Sequence, residues 1–309
     1  YKERKEKGNF GTIVSDGSWG LTKGRWVYFP ENVDYYGMLY RNHVFAQSHN
    51  LSVSGSDGKF DYYLSGRYYN YGGLFDSPQN SDNYVMYNTR LKVGYQIYHW
   101  IKITDNIDMS RTRYRMPLTY SEGGGNIWRN IDDEGHPSSP IWNPDGTMTY
   151  SAVYSIGDFL YGKSHRIYIN DYVRNTFGVN TSFFKNTLRL NADFTYRNQN
   201  YNCTAIRIRT PYSRTKDLME TISGTQSYIS ENPTNTIYIA NNEYGEYENT
   251  FGKHYLNVLL GFNYEQSRYK AMYAYNDNLL TENVVNINLA MGTDNKAITG
   301  SWSRWRTIG

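Results

Sequence analysis

Segments of period-two alternation recur from Leu51 to Tyr264, and the connections between them are alternately very short and very long. In the clearest segment Leu188, Leu190, Ala192, Phe194 and Tyr196 fall on one face, while Arg189, Asn191, Asp193, Thr195 and Arg197 fall on the other. A β-strand separates such sets cleanly; a helix, with about 3.6 residues per turn, would scatter both. Leu256 to Glu265 repeats the pattern, with Leu259 as its one exception, and shorter matches occur at Leu91–Ile97 and Phe177–Phe183. Tight links at Ser56-Asp57-Gly58, Tyr98-His99, Lys185-Asn186 and Gly252-Lys253-His254 alternate with long ones at Gly72–Asn83, Tyr114–Asp171, Tyr201–Asn235 and Asn276–Gly300. A soluble β-sandwich, the alternative all-β reading, has no reason to gather its long loops at one end. A transmembrane antiparallel β-barrel of the outer membrane does, because its short turns face the periplasm and its long loops face outward.

Composition agrees with a wall between lipid and water. Only 39% of the residues are hydrophobic, yet 33 are tyrosines, whose rings suit an apolar layer while their hydroxyls reach water. No stretch approaches the roughly 18 apolar residues of a spanning helix. A formal net charge of +3 gives no reason to expect nucleic acid as a partner. The single cysteine, Cys203, rules out an internal disulfide framework and a cysteine-based metal site. About nine strands are expected from the pattern. The last is cut at Ser301–Gly309, so further strands are expected beyond it, since lipid cannot satisfy an open sheet edge. The first residues, Tyr1 to Lys7, lack the apolar middle of a signal peptide, which suggests an excerpt of a longer chain. Residues 1–43 are less regular and are expected to hold one or two early barrel strands, with Thr12–Val14 and Arg25–Phe29 as candidates, ahead of a partial barrel over 44–309.

Several runs resemble the SusC/RagA family of TonB-dependent importers. They are Asp34-Tyr35, Phe45 to Gly55, Tyr62 to Ser65, Tyr87 to Leu91, Trp100 to Ile103, Asn143-Pro144-Asp145-Gly146-Thr147, Leu188 to Asn191 and Thr250 to Phe262, in the family's order. Tyr35 departs from the pattern, which more often has Trp, and the first 33 residues match nothing in it. The resemblance implies a plugged barrel of about 22 strands. It also implies a SusD-like surface lipoprotein as lid, energy from a TonB complex, and a glycan or peptide cargo, with glycan fragments favoured. The family's plug and TonB-contacting segment do not occur in this sequence.

No catalytic constellation can be assembled. There is no Gly-x-Ser-x-Gly elbow, and no histidine lies near Cys203 in sequence. The six histidines form no His-x-x-x-His pair, so no zinc is expected. Gly123-Gly124-Gly125 reads as a flexible turn rather than a phosphate cradle, because no Lys-Ser/Thr follows it. Asp132-Asp133-Glu134-Gly135 lacks the alternate spacing of a calcium loop and reads as solvated; no cofactor is expected. The long links are instead rich in aromatic residues: Tyr120, Trp128, Trp142, Tyr150, Tyr154 and Phe159 in one, Tyr212 and Tyr228 in another. Such rings stack on sugars and pack on peptide side chains, or equally on one another and on a lid protein. Tyr68, Tyr69, Tyr71, Trp100 and Tyr196, near expected strand ends, read as membrane-interface girdles. The function expected is outer-membrane nutrient import and no enzyme activity; the alternative is a structural or adhesive barrel whose loops bind proteins or surfaces.

Overall fold

The computed structural model describes residues 19–22, 25–28, 33–76, 81–118, 137, 139–222, 226–292 and 296–309. Two sheets are present among them. The small one joins β1 (Trp19–Thr22), β2 (Arg25–Tyr28), β9 (Pro211–Thr215) and β10 (Leu218–Thr221). The large one is an antiparallel meander of β3 (Ala46–Ser56), β4 (Phe60–Tyr71), β5 (Asn83–Tyr98), β6 (Ile101–Pro117), β7 (His165–Phe183), β8 (Leu188–Arg207), β11 (Tyr228–Phe251), β12 (His254–Asp277) and β13 (Lys296–Ile308). These nine strands match the expected number and order. The expected strand at Arg25–Phe29 exists as β2, but it pairs with β1 and β9, so it belongs to the loop end and not to the wall. Thr12–Val14 lies outside the described residues.

The large sheet has the stagger of a barrel wall. Tyr247 pairs with Leu188 at the foot of β8, yet β11 runs on to Phe251 before it turns. Likewise Ile101 pairs with Thr181 while β7 continues to Phe183, and Phe60 pairs with Tyr95 while β5 continues to Tyr98. Each hairpin is displaced in the same direction as the one before, which is the shear that tilted strands need to close. At the first tight turn the Asp57 side chain accepts from the Lys59 and Phe60 amides (3.0 and 2.7 Å), and Gly58 adopts φ +90°. The strands reach further toward the long links than the alternation alone implied, so the link expected at Tyr201–Asn235 narrows to 208–227. β11 has 24 residues; at about 3.4 Å each it is roughly 80 Å long. A tilted crossing needs only about 9–11 residues, so much of β11 stands clear of any bilayer. No helix among the described residues is long and apolar enough to cross a membrane.

Register assigns the faces. The row Val53, Leu64, Leu91, Ile107 and the pairs Phe183–Leu188, Val179–Ala192 and Phe177–Phe194 lie on one side. Leu190, Leu260 and Phe262 are exposed on that side. Polar pairs interrupt it, among them Asn175, which donates to Asp105 (2.5 Å), Asn241, which donates to Glu243 (2.9 Å), and Arg111, which lies 3.6 Å from Asp171. The opposite face carries an ionic lattice. Asp108 is held by Arg90 (3.1 Å) and Arg174 (2.5 Å), and Arg189 binds Glu246 and Glu248 (2.9 and 2.8 Å). Lys102 reaches Asp61 (2.5 Å) across Gly94, where a Cβ would meet both side chains at under 3 Å. Leu259, the exception in the β12 pattern, stands exposed on this polar face.

Candidate functional site

The polar face carries a run of tyrosines near the long-loop end. Tyr69 of β4, Tyr84 of β5, Tyr114 of β6, Tyr168 of β7 and Tyr201 of β8 lie on five successive strands, all half-buried. Their ring centroids are 6.0, 6.5, 6.0 and 6.2 Å apart in that order. Tyr114 and Tyr168 are stacked, with planes 11° apart. The spacing follows from structure: paired residues on neighbouring strands share a face about 5 Å apart, so tyrosines near the same rung form a ladder. Tyr228 and Tyr275 add a pair further out on β11 and β12 at 5.3 Å. A surface of this kind offers flat apolar faces edged by hydroxyls, which suits polar ligands with apolar faces of their own.

This corrects part of the girdle reading. Tyr68 and Tyr196 do lie on the apolar face, where Tyr68 packs on His49 and Tyr87. Tyr69 and Tyr71 lie on the polar face instead, because adjacent strand residues point to opposite sides. Trp100 sits at a short turn against Tyr98 and Phe183.

Above the ladder the long links fold into a crown with a core of its own. The helix α1 (Tyr35–Leu39) starts at Asp34, whose side chain accepts from the Gly37 amide (2.9 Å). It packs Tyr35 and Leu39 against Phe75, Ile141, Ala152, Ile156 and Phe159. A second cluster joins Met148, Val153, Tyr212 and Ile222. The turn Asn143-Pro144-Asp145-Gly146-Thr147 is pinned to β9 by the Asn143 amide, which donates to the Ser213 carbonyl (2.9 Å). Hydrogen bonds from the Thr147 hydroxyl and amide hold the Asp145 carboxyl below the usual carboxylate range. Three chain stretches that are far apart in sequence therefore share one small core.

The crown gathers some of the expected ligand residues. Arg214 lies over the Tyr150 ring at 4.0 Å and the Tyr212 ring at 5.3 Å. Tyr150 stacks on Tyr154 (6.0 Å) and meets Tyr212 edge-on (5.2 Å). Tyr212 is only 4% exposed and belongs to the core, whereas Tyr150 and Trp142 have open surface. Phe159 is buried as well. Tyr228 is not in a loop but opens β11. Tyr120, Trp128, Gly123-Gly124-Gly125 and Asp132-Asp133-Glu134-Gly135 lie outside the described residues. Among the described residues no group of three or more His, Cys, Asp or Glu side chains is placed to hold a metal. The tyrosine ladder escaped sequence reading because its members are far apart in the chain. Its only local trace is a tyrosine at the polar parity near each strand's outer end.

A buried ion pair ties the crown to the wall. Asp158, in the short helix Asp158–Tyr161, is 2% exposed and accepts from the Thr210 hydroxyl (2.5 Å); Arg207 at the end of β8 lies 3.4 Å from its other oxygen. Burial pushes the Asp158 carboxyl above the usual carboxylate range, against the pull of Arg207 and Thr210.

No family model matches this sequence, and no curated protein matches it. Solved structures do. The RagAB peptide importer in its open-open state is 15% identical over 97% of this chain and 32% of that one, with a TM-score of 0.70. Its closed-closed state gives 16% identity over 91% and 31% at a TM-score of 0.69. A third structure, of the RagAB peptide transporter, gives 16% over 91% and 30% at 0.67. The chain spans about a third of the length of the chains it matches. At this identity the likeness establishes the fold, that of a segment of such a transporter's β-barrel.

Proposed function

We propose that this chain forms part of the wall and outer mouth of an outer-membrane importer of nutrient oligomers, working with a SusD-like surface lipoprotein and an inner-membrane TonB complex. The observation that carries the proposal is the two-sided sheet: an apolar outer face, and a polar inner face on which a tyrosine ladder leads inward from a folded crown. An apolar outside facing lipid and a polar inside facing a lumen is what a barrel that passes solutes requires. The likeness in fold to a peptide importer supports the same reading. Oligosaccharide fragments are the favoured cargo, because the ladder offers ring faces and hydroxyls. Peptides are the second reading, carried by what the similar structures import.

Mass spectrometry of the complex extracted gently from its native membrane tests the assembly. A longer chain that travels with a surface lipoprotein is the expected result, and a barrel found alone would sink the lid. Cargo is tested with Tyr114→Ala combined with Tyr168→Ala in the full-length protein. Loss of two stacking faces should weaken oligosaccharide binding about tenfold, while the Tyr→Phe pair keeps most of it. If both pairs leave oligosaccharide binding unchanged but peptide binding falls, the cargo is peptide.

A further inference from the structure

On β12 the outward positions run Leu256, Val258, Leu260 and Phe262, then Tyr264, and then change character to Gln266, Arg268 and Lys270. Neighbouring β13 sets Arg306 opposite Gln266, Arg304 opposite Arg268, and Trp302 opposite Lys270. Gln266 is 4% exposed, and its Oε1 accepts from three donors: the Tyr264 hydroxyl (3.1 Å), Arg304 Nη2 (2.6 Å) and Arg306 Nε (3.1 Å). One neutral amide oxygen thus fixes two guanidinium groups beside the tyrosine that ends the apolar band. It orients their charge without cancelling it.

Arg268 and Lys270, on β12 between β11 and β13, are exposed, and neither they nor Arg304 and Arg306 on β13 pair with a carboxylate among the described residues. Two acids on this face are engaged elsewhere: Asp171 lies 3.6 Å from Arg111, and Glu231 accepts from Thr204 (2.8 Å). Four like charges on two adjacent strands repel one another, and an anion seated among them relieves that repulsion. Beside them β8 and β11 present amides. Asn235 donates to Asn198 and Asn200 (2.7 Å each), and a groove of about 300 Å³ opens between Asn200, Asn235 and Lys270. Amides that can bind sugar hydroxyls therefore adjoin cations that can bind phosphate, immediately beyond the apolar band on its long-loop side.

We propose that this outward surface of β8, β11, β12 and β13 binds the phosphorylated sugar headgroup of the outer-leaflet glycolipid. The proposal rests on the outer-membrane reading above, which puts the long-loop end at the outer leaflet. Arginine forks seat the phosphates, the asparagine amides contact the sugar rings, and the acyl chains lie along the apolar band below Tyr264.

The test uses the full-length protein, extracted with its partners, in detergent. It is exchanged in turn against a bisphosphorylated diglucosamine glycolipid, the same glycolipid without phosphates, phosphatidylglycerol and inorganic phosphate. Retained lipid is read by native mass spectrometry. The wild-type protein should hold the bisphosphorylated glycolipid in preference to the others, and R268Q/K270Q/R304Q/R306Q should hold it about tenfold less or worse. If the fourfold variant fails to fold, as judged by heat-modifiable migration, R268Q/K270Q serves, because the hydrogen bonds to Gln266 come from Tyr264, Arg304 and Arg306 and are left in place. Equal retention by variant and wild type overturns the proposal, and so does phosphatidylglycerol held as tightly as the glycolipid, or displacement by inorganic phosphate at equal concentration. Fractionation separates the two levels of failure. An outer-membrane protein without phosphate-dependent retention loses this site alone, whereas a chain found outside the outer membrane loses both readings.

Discussion

Leu190→Arg is expected to block assembly of the barrel, while Asn191→Arg one residue away leaves it intact. Leu190 stands exposed on the apolar face, in a row with Thr181 and Gly245, and its side chain covers the space that Gly245 leaves open; a Cβ there would meet it at 3.0 Å. A guanidinium at this position faces hydrocarbon, which near the bilayer midplane costs about 2–4 kcal/mol. Asn191 pairs with Asn180 and Tyr244 on the polar face, where an added cation meets water and carboxylates. The check is the yield of heat-modifiable, protease-resistant barrel in the outer membrane. Equal yields from the two variants would mean that the faces are assigned the wrong way round or that the sheet borders no lipid.

The second large effect is expected at the crown. Asp158→Ala leaves the largely buried Arg207 without its carboxylate and Thr210 without its acceptor, and breaking a buried pair in this way costs about 3–5 kcal/mol. The crown is held by two small cores, so a loss of that size should open it locally and spare the wall. Hydrogen exchange is expected to rise sharply over residues 139–164 and 208–222 while β7 and β8 stay protected. Exchange that rises evenly over the sheet would show that crown and wall unfold together. Acidity has a definite sign here. Burial raises the Asp158 carboxyl in the folded state, so on acidification the folded crown takes up a proton at a higher pH than the open crown does. Crown stability should therefore increase as pH falls from neutral toward the ordinary carboxylate range, and decline as pH rises across that window. Asp158→Asn, which cannot ionise, should flatten this dependence.

Both predictions draw on parts of the protein that differ in how far the sequence discloses them. The wall was legible because each strand carries its own period-two record, and register only extends it. Leu188 to Arg197 states its two faces without help from any neighbour. The alternation of short and long links likewise located the turn end and the loop end. The crown was not legible. Nothing local in the sequence distinguishes Tyr212 from Tyr150 as a ligand or lid contact or as a ring packed on its neighbours; in the structure Tyr212 is buried, while Tyr150 keeps open surface and is covered on one side by Arg214. Aromatic side chains in a long link look the same in sequence whether they grip a ligand or one another. The polarity of Asp158 in turn gives no hint of burial, since its partners Arg207 and Thr210 lie in a different link and at a strand end.

What the sequence determined by itself is the local alternation: strands, two chemically different faces, and which end carries the loops. That information is local because successive strand residues must point to opposite sides, whatever surrounds them. What only the tertiary structure decided is which distant residues share a rung. The ladder from Tyr69 to Tyr201, the three donors on Gln266 and the crown core each join strands or loops through pairing register and packing. Those relations are set by hydrogen-bonded partners far away in the chain, and no periodicity within a single segment encodes them.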